Sequence, residues 1–138
     1  QAIRLLPKEN ITENNRLRLE KAKAQMQCSQ LPEAYRELLS MLSSQDENTE
    51  PQLVADTKST LANAQYYMTW LMRLEGHSRE LWEPVIESSR QNYYAAAEFA
   101  KSQSDQRSAD QLTENLEASI KLARIDLDEL QGLPLPNQ

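Results

Sequence analysis

The chain has 138 residues, of which 39% are apolar, and its 15 Lys and Arg against 21 Asp and Glu give a formal net charge of −6. This length predicts one domain with its own hydrophobic core, and no run approaches the roughly 20 apolar residues that a membrane-spanning helix needs. The acidic balance argues against nucleic acid as a partner, because phosphate binding depends on clustered lysine and arginine.

Glycine and proline indicate where helices stop and start. Gly76 and Gly132 each follow a helical pattern of apolar residues, where a glycine in the left-handed conformation satisfies the last carbonyls of a helix. Pro32 and Pro51 suit the first turn of a helix, where the missing N–H costs nothing. Pro84 is predicted to lie inside a continuous, kinked helix, and the alternative is a separate turn before a helix that begins at Pro84.

Apolar residues recur at spacings of three and four along five segments, and no segment alternates with period two, which predicts an all-α fold. The predicted helices span residues 12–27, 31–44, 51–75, 79–102 and 105–131. Their short connections make successive helices antiparallel neighbours. The expected arrangement is a single helical domain, residues 1–138, with a first hairpin at 12–44, a second hairpin at 51–102, a closing helix at 105–131 and extended ends at 1–11 and 133–138.

The fifth predicted helix has a polar start and an acidic end. Ser104, followed by Asp105, is predicted to cap its N-terminus. Asp126, Asp128 and Glu129 place negative charge near its C-terminus, where carboxylates oppose the helix dipole. These carboxylates form either a solvated face or a site that meets a cation from elsewhere, for example on a partner. The predicted apolar stripe of this helix consists of Ala109, Leu112, Leu116, Ala123, Leu127 and Leu130.

The segment Ala24–Leu38, AQMQCSQLPEAYREL, resembles the helix–turn–helix junction of a tetratricopeptide repeat. Ala22 and Ala34 match the two small residues at which the paired helices of that family approach closely, and Leu38 matches the large apolar residue one turn later. The resemblance covers residues 12–44 and, more loosely, 51–102. It implies an array of helical hairpins that binds other proteins, and a generic five-helix bundle is the alternative.

A second resemblance involves the segments Leu61–Met72 and Glu129–Pro136. They look like parts of the small helical accessory proteins encoded beside MoxR-type ATPases and von Willebrand A-domain proteins. This resemblance implies a periplasmic domain anchored at the bacterial inner membrane, with the cytoplasm as the alternative. The chain begins at Gln1 rather than Met, which is compatible with a removed signal peptide or N-terminal anchor.

Seven of the eight aromatic residues lie between residues 66 and 99, on the third and fourth predicted helices. One interpretation is that these rings form the core. The other is a groove for a peptide or partner helix, because aromatic and arginine side chains are enriched where proteins dock. The candidate partner-binding residues are Tyr66, Trp70, Arg73, His77 and Trp82.

The sequence contains no set of residues typical of catalysis. His77 is the only histidine and Cys28 the only cysteine, so neither a di-iron bundle nor a zinc site can be assembled from them. Phosphate-binding loops and nucleophile elbows are absent. We therefore expect a non-enzymatic scaffold or assembly accessory with no metal or cofactor, which binds a protein partner. A homo-oligomer that uses the fifth helix as its seam is the alternative.

Overall fold

A computed structural model of the protein describes residues 8–27 and 30–132, and every regular element among them is helical. The elements in chain order are α1 (Lys8–Gln27), α2 (Leu31–Ser44), α3 (Pro51–Leu74), α4 (Arg79–Ser102), α5 (Gln106–Arg124) and a 3₁₀ helix (Leu127–Gly132). The predicted all-α fold of about five helices is confirmed. The described helices include none with the combined length and apolar character needed to span a bilayer.

The chain divides into two compact units, an N-terminal unit (Gln1–Thr57) and a C-terminal unit (Lys58–Gln138), and the division falls inside α3. The expectation of one domain over residues 1–138 stays a prediction. In the N-terminal unit, α1 and α2 pack against each other. Ala22 and Ala34 are both fully buried.

The start of α1 differs from the sequence prediction. Residues 8–11 were expected in an extended end, and they are helical because α1 begins at Lys8. Neither glycine nor proline occurs between Lys8 and Gln27, so nothing in the sequence interrupts the helix once it has passed Pro7. Residues 1–7 and 133–138 of the expected extended ends, together with Cys28, lie outside the described residues.

The predictions drawn from proline and glycine are confirmed at four positions. Pro32 lies in the first turn of α2, and α3 begins at Pro51. The fourth helix is continuous through Pro84, as predicted, and its kink stays a prediction. Gly76, after the end of α3, has a φ of +83°. At that angle glycine avoids the steric penalty that a side chain would impose.

In the C-terminal unit, α3 and α4 run antiparallel. Asn63, near the middle of α3, accepts a hydrogen bond from the hydroxyl of Tyr93, just past the middle of α4. Arg73, at the end of α3, lies over the ring of Trp82, at the start of α4. The turn between the two helices therefore brings the C-terminus of α3 beside the N-terminus of α4. The short turn Gln103–Asp105 then returns the chain so that α5 packs along α4.

The closing helix ends earlier than predicted. It was expected to reach residue 131, but α5 ends at Arg124, Ile125 has an extended backbone with ψ of 159°, and the chain resumes as the 3₁₀ helix. The apolar stripe is broken with it: Ala109 and Leu130 are buried, whereas Leu127 is exposed. A stripe at helical spacing holds its direction only while the helix continues.

The N-cap of α5 is Asp105 rather than the predicted Ser104. One Asp105 carboxylate oxygen accepts a hydrogen bond from the backbone N–H of Ser108 at 3.1 Å. Ser104 instead occupies the turn with a φ of 58°. The hydrogen bonds from Ser108 lower the pKa of Asp105, because they stabilise the charged carboxylate.

We expect the substitution Asp105→Ala to lower the free energy of unfolding at neutral pH. The difference in this free energy between the wild-type chain and the variant should become smaller at acidic pH. The pKa of Asp105 is depressed in the folded state, so its contribution is present above the unfolded pKa of about 3.9 and is lost as the pH falls through the folded value. Urea unfolding near pH 7 and near pH 2.5 measures this. Asp105→Asn, which keeps a capping oxygen without a charge, is the matched control, and an Ala difference that is equal at both pH values would contradict the expectation.

Candidate functional site

The structure places the five predicted binding residues at different depths. Tyr66 and Trp82 are 0% and 4% exposed and belong to the core of the C-terminal unit. Trp70 is half-buried against the same cluster, Arg73 is half-buried, and His77 is exposed. Tyr66, Trp70 and Trp82 therefore stabilise the core together, and His77 is the one exposed residue of the five. Partner binding by these residues stays a prediction.

Arg73 joins three elements of the C-terminal unit. Its Nη1 donates hydrogen bonds to the backbone oxygens of Leu122 and Ile125, at 2.8 and 2.9 Å. In a helix that continued, those two carbonyls would accept from backbone N–H groups four residues later. Arg73 takes the place of these donors, which accounts for the end of α5 at Arg124.

The guanidinium of Arg73 also packs on an aromatic ring. Its central carbon lies 4.6 Å from the centroid of the Trp82 ring, and the guanidinium of Arg79 lies at the same distance from that ring. Burial lowers the pKa of Arg73, and the positive charge of Arg79 lowers it further, while Asp126 acts in the opposite direction. Asp126, just after the end of α5, therefore interacts electrostatically with an arginine of α3.

Polar side chains connect α3 to α4 at positions that the sequence analysis missed. Gln65 is buried, donates to Ser88 Oγ at 2.8 Å and accepts from Asn92 Nδ2 at 3.1 Å. Ser89, also buried, donates to the carbonyl of Ala62 at 2.8 Å. The sequence offers one signal for these positions: polar residues recur at spacings of three and four on the face of each helix that is buried. Hydropathy alone assigns such residues to the solvent-exposed face.

Two buried tyrosines hold their protons strongly. Burial raises the pKa of Tyr66 to about 12, and it raises the pKa of Tyr93 further still. Tyr67 lies edge-on to Tyr66, with ring centroids 6.4 Å apart. A tyrosine hydroxyl in a desolvated site therefore stays neutral at physiological pH.

His77 lies at the turn between α3 and α4. Its Nε2 is 3.3 Å from a carboxylate oxygen of Glu75, and its backbone N–H donates to the carbonyl of Met72. Among the described residues, no group of three or more His, Cys, Asp and Glu side chains could hold a metal ion.

Apolar side chains are exposed at the same turn. Leu71, Leu74 and Leu81 are each at least 40% exposed and lie within eleven residues of one another along the chain, on either side of the turn. We call Leu71, Leu74, His77 and Leu81 the hairpin-end surface. It lies at the end of the two helices that Arg73 and Trp82 hold together.

Comparisons of the chain with protein-family models, with curated proteins and with solved structures found no match. The resemblances to tetratricopeptide-repeat hairpins and to accessory proteins of MoxR-type ATPases therefore stay predictions.

We expect Arg73→Ala to lower the free energy of unfolding by about 1–3 kcal/mol, because it leaves two carbonyls at the end of α5 without their charged donor. Arg73→Lys should recover only part of this loss, since an ammonium cannot stack on Trp82 as the planar guanidinium does. Arg79→Ala is the matched control. It removes an exposed ion pair with Glu83 and the other guanidinium over Trp82, and should cost at most about 1 kcal/mol. Equal losses at Arg73 and Arg79 in urea unfolding would contradict the capping role.

We expect the free energy of unfolding to fall above pH ~10. Unfolded tyrosines ionise near a pKa of about 10, whereas folded Tyr66 keeps its proton up to a pKa of about 12. The folded state then binds more protons than the unfolded state, so stability that is present below pH ~10 is lost as the pH rises toward ~12. Urea unfolding between about pH 8 and pH 11 measures the slope. The double variant Tyr66→Phe, Tyr93→Phe should flatten it, and an unchanged slope would contradict the assignment.

Proposed function

We propose that the protein is a non-enzymatic interaction module, a scaffold or assembly accessory, that binds a protein partner through the hairpin-end surface. One observation carries this proposal: three exposed leucines, Leu71, Leu74 and Leu81, flank the turn between α3 and α4, where Arg73 packs on Trp82. Exposed apolar side chains that are grouped rather than scattered are typical of protein-binding surfaces.

The underlying structure supports a role in docking. At the same end of the hairpin, Trp82 is buried under the guanidinium of Arg73, which is itself hydrogen-bonded to the end of α5. A surface held in this way loses little conformational freedom when a partner binds, so more of the contact energy appears as affinity. Tyr66 and Trp82 contribute to this proposal as the support of the surface, and His77 as part of it.

The burial of Arg73 also decides which residues can test the proposal. A substitution at Arg73 removes the cap of α5, so a loss of binding would not separate docking from folding. Leu74 and Leu81 are exposed, and their replacement should leave the core intact. The informative variant is therefore the double substitution Leu74→Lys, Leu81→Lys.

The test compares partner capture by the wild-type chain and by this variant, using cross-linking in a native extract followed by mass spectrometry. Capture by the variant should fall at least about tenfold, equivalent to about 1.4 kcal/mol, because each lysine must be desolvated in an apolar interface. The matched control is Leu39→Lys, Leu17→Lys, in the N-terminal unit. Leu39 and Leu74 are 39% and 40% exposed, and Leu17 and Leu81 are 62% and 56% exposed.

The outcomes separate the proposal from its alternatives. Loss of one partner in the hairpin-end variant but not in the control supports it, provided that circular dichroism shows both variants folded. Equal capture by all three chains would place the interface elsewhere. A self-cross-linked species without a partner, with a dimer mass by light scattering, would favour the homo-oligomeric bundle instead.

A further inference from the structure

A groove between α4 and α5 combines an apolar floor with arginine side chains. It encloses about 250 Å³ and is lined by Ile86, Glu87, Arg90, Ser119, Ile120, Ala123 and Arg124. Ile86 and Ser119 are buried beneath it, whereas Ile120 and Ala123 are partly exposed. The hydroxyl of Ser119 is already used, since it donates to the carbonyl of Leu116. The floor therefore offers apolar surface rather than free hydrogen-bonding groups.

The two arginines of the groove differ in their partners. Arg90 is held by the carboxylate of Glu87 through both Nε and Nη2, and Gln91 donates to the same carboxylate. Arg124 has no carboxylate within 4.0 Å among the described residues, although the chain has more acidic than basic side chains. The usual role of such a residue, capping the C-terminal carbonyls of α5, is performed by Arg73 at Leu122 and Ile125. Arg124 is thus a cation beside an apolar groove, with its charge available.

We propose that this groove binds an amphipathic helix of a protein partner that presents a large apolar side chain followed one turn later by Asp or Glu. The apolar side chain would lie over Ile120 and Ala123, and the carboxylate would pair with Arg124. Two antiparallel helices form a natural trough for a third, and residues four apart on that helix lie on one face. The pairing matches a negative charge to the one groove cation that lacks a carboxylate.

The size of the groove favours a side chain over a free small molecule. Pockets for drug-sized ligands enclose about 300–1,000 Å³ and bury most of the ligand surface. The groove encloses about 250 Å³ and is open along one side. It can bury one or two side chains of a helix whose remaining surface contacts the rims of α4 and α5.

This inference rests on the proposed function only in naming a protein partner, because it uses a different surface from the hairpin end. Its test needs no native partner. The probe is a helical peptide of about 16 residues, long enough to form a helix, that carries one Phe with a Glu four residues later. Comparison peptides replace that Glu with Lys or that Phe with Ala. Binding is followed by NMR of the five isoleucine methyl groups in the full chain.

The Phe–Glu peptide should shift the signals of Ile86 and Ile120 most, and both comparison peptides should bind at least about tenfold more weakly. The substitution Arg124→Glu should weaken binding of the Phe–Glu peptide by a similar factor, and it should restore binding of the Phe–Lys peptide. Arg107→Glu, at the other end of α5, changes the net charge equally and is the matched control. The Leu74→Lys, Leu81→Lys variant should bind the peptide normally, which separates this inference from the proposed function.

Three results would overturn the inference. The first is the absence of any shift at Ile86 and Ile120 up to about 1 mM peptide. The second is that Arg124→Glu and Arg107→Glu weaken binding of the Phe–Glu peptide equally, which would mean that the effect comes from net charge alone. The third is octanoate shifting the same signals at the same concentrations, which would assign the groove to a free amphiphilic carboxylate rather than to a helix.

Discussion

The guanidinium of Arg73 is the contact on which the arrangement of the C-terminal unit depends. It extends from α3, lies over Trp82 of α4 and donates to the two carbonyls at which α5 ends. One half-buried cation thereby sets the end of one helix and holds two others beside it. Arg124, the last residue of α5, lines the groove between α4 and α5, and the exposed leucines of the hairpin end flank the turn that follows α3.

Buried polar side chains complement this cap between α3 and α4. Gln65 is hydrogen-bonded by Ser88 and Asn92, and Ser89 donates to a carbonyl of α3. Apolar contacts between two helices can form again after one helix shifts by a turn, whereas a buried amide that loses its hydrogen-bond partners costs about 1–3 kcal/mol. These hydrogen bonds therefore favour one alignment of the two helices over neighbouring ones.

The candidate site could be predicted only in part. The crowding of aromatic residues between residues 66 and 99 was compatible with a core or with a groove, and Tyr66, Trp70 and Arg73 lie at spacings that place them on one face of a helix. Periodicity does not say whether a stripe faces a partner or the core, and Tyr66 and Trp82 face the core. The groove was not predicted, because its lining combines residues more than 25 positions apart in the sequence.

The sequence by itself determined the helical character of the chain, most helix boundaries and the position of the turn at Gly76, because these depend on local spacing and on backbone preferences of glycine and proline. The tertiary structure alone decided where α5 ends, which polar residues are buried and which arginines line the groove between α4 and α5. Each of these depends on a side chain from another helix. Arg73 lies 49 residues from the carbonyl of Leu122 that it caps, and no local pattern contains that contact.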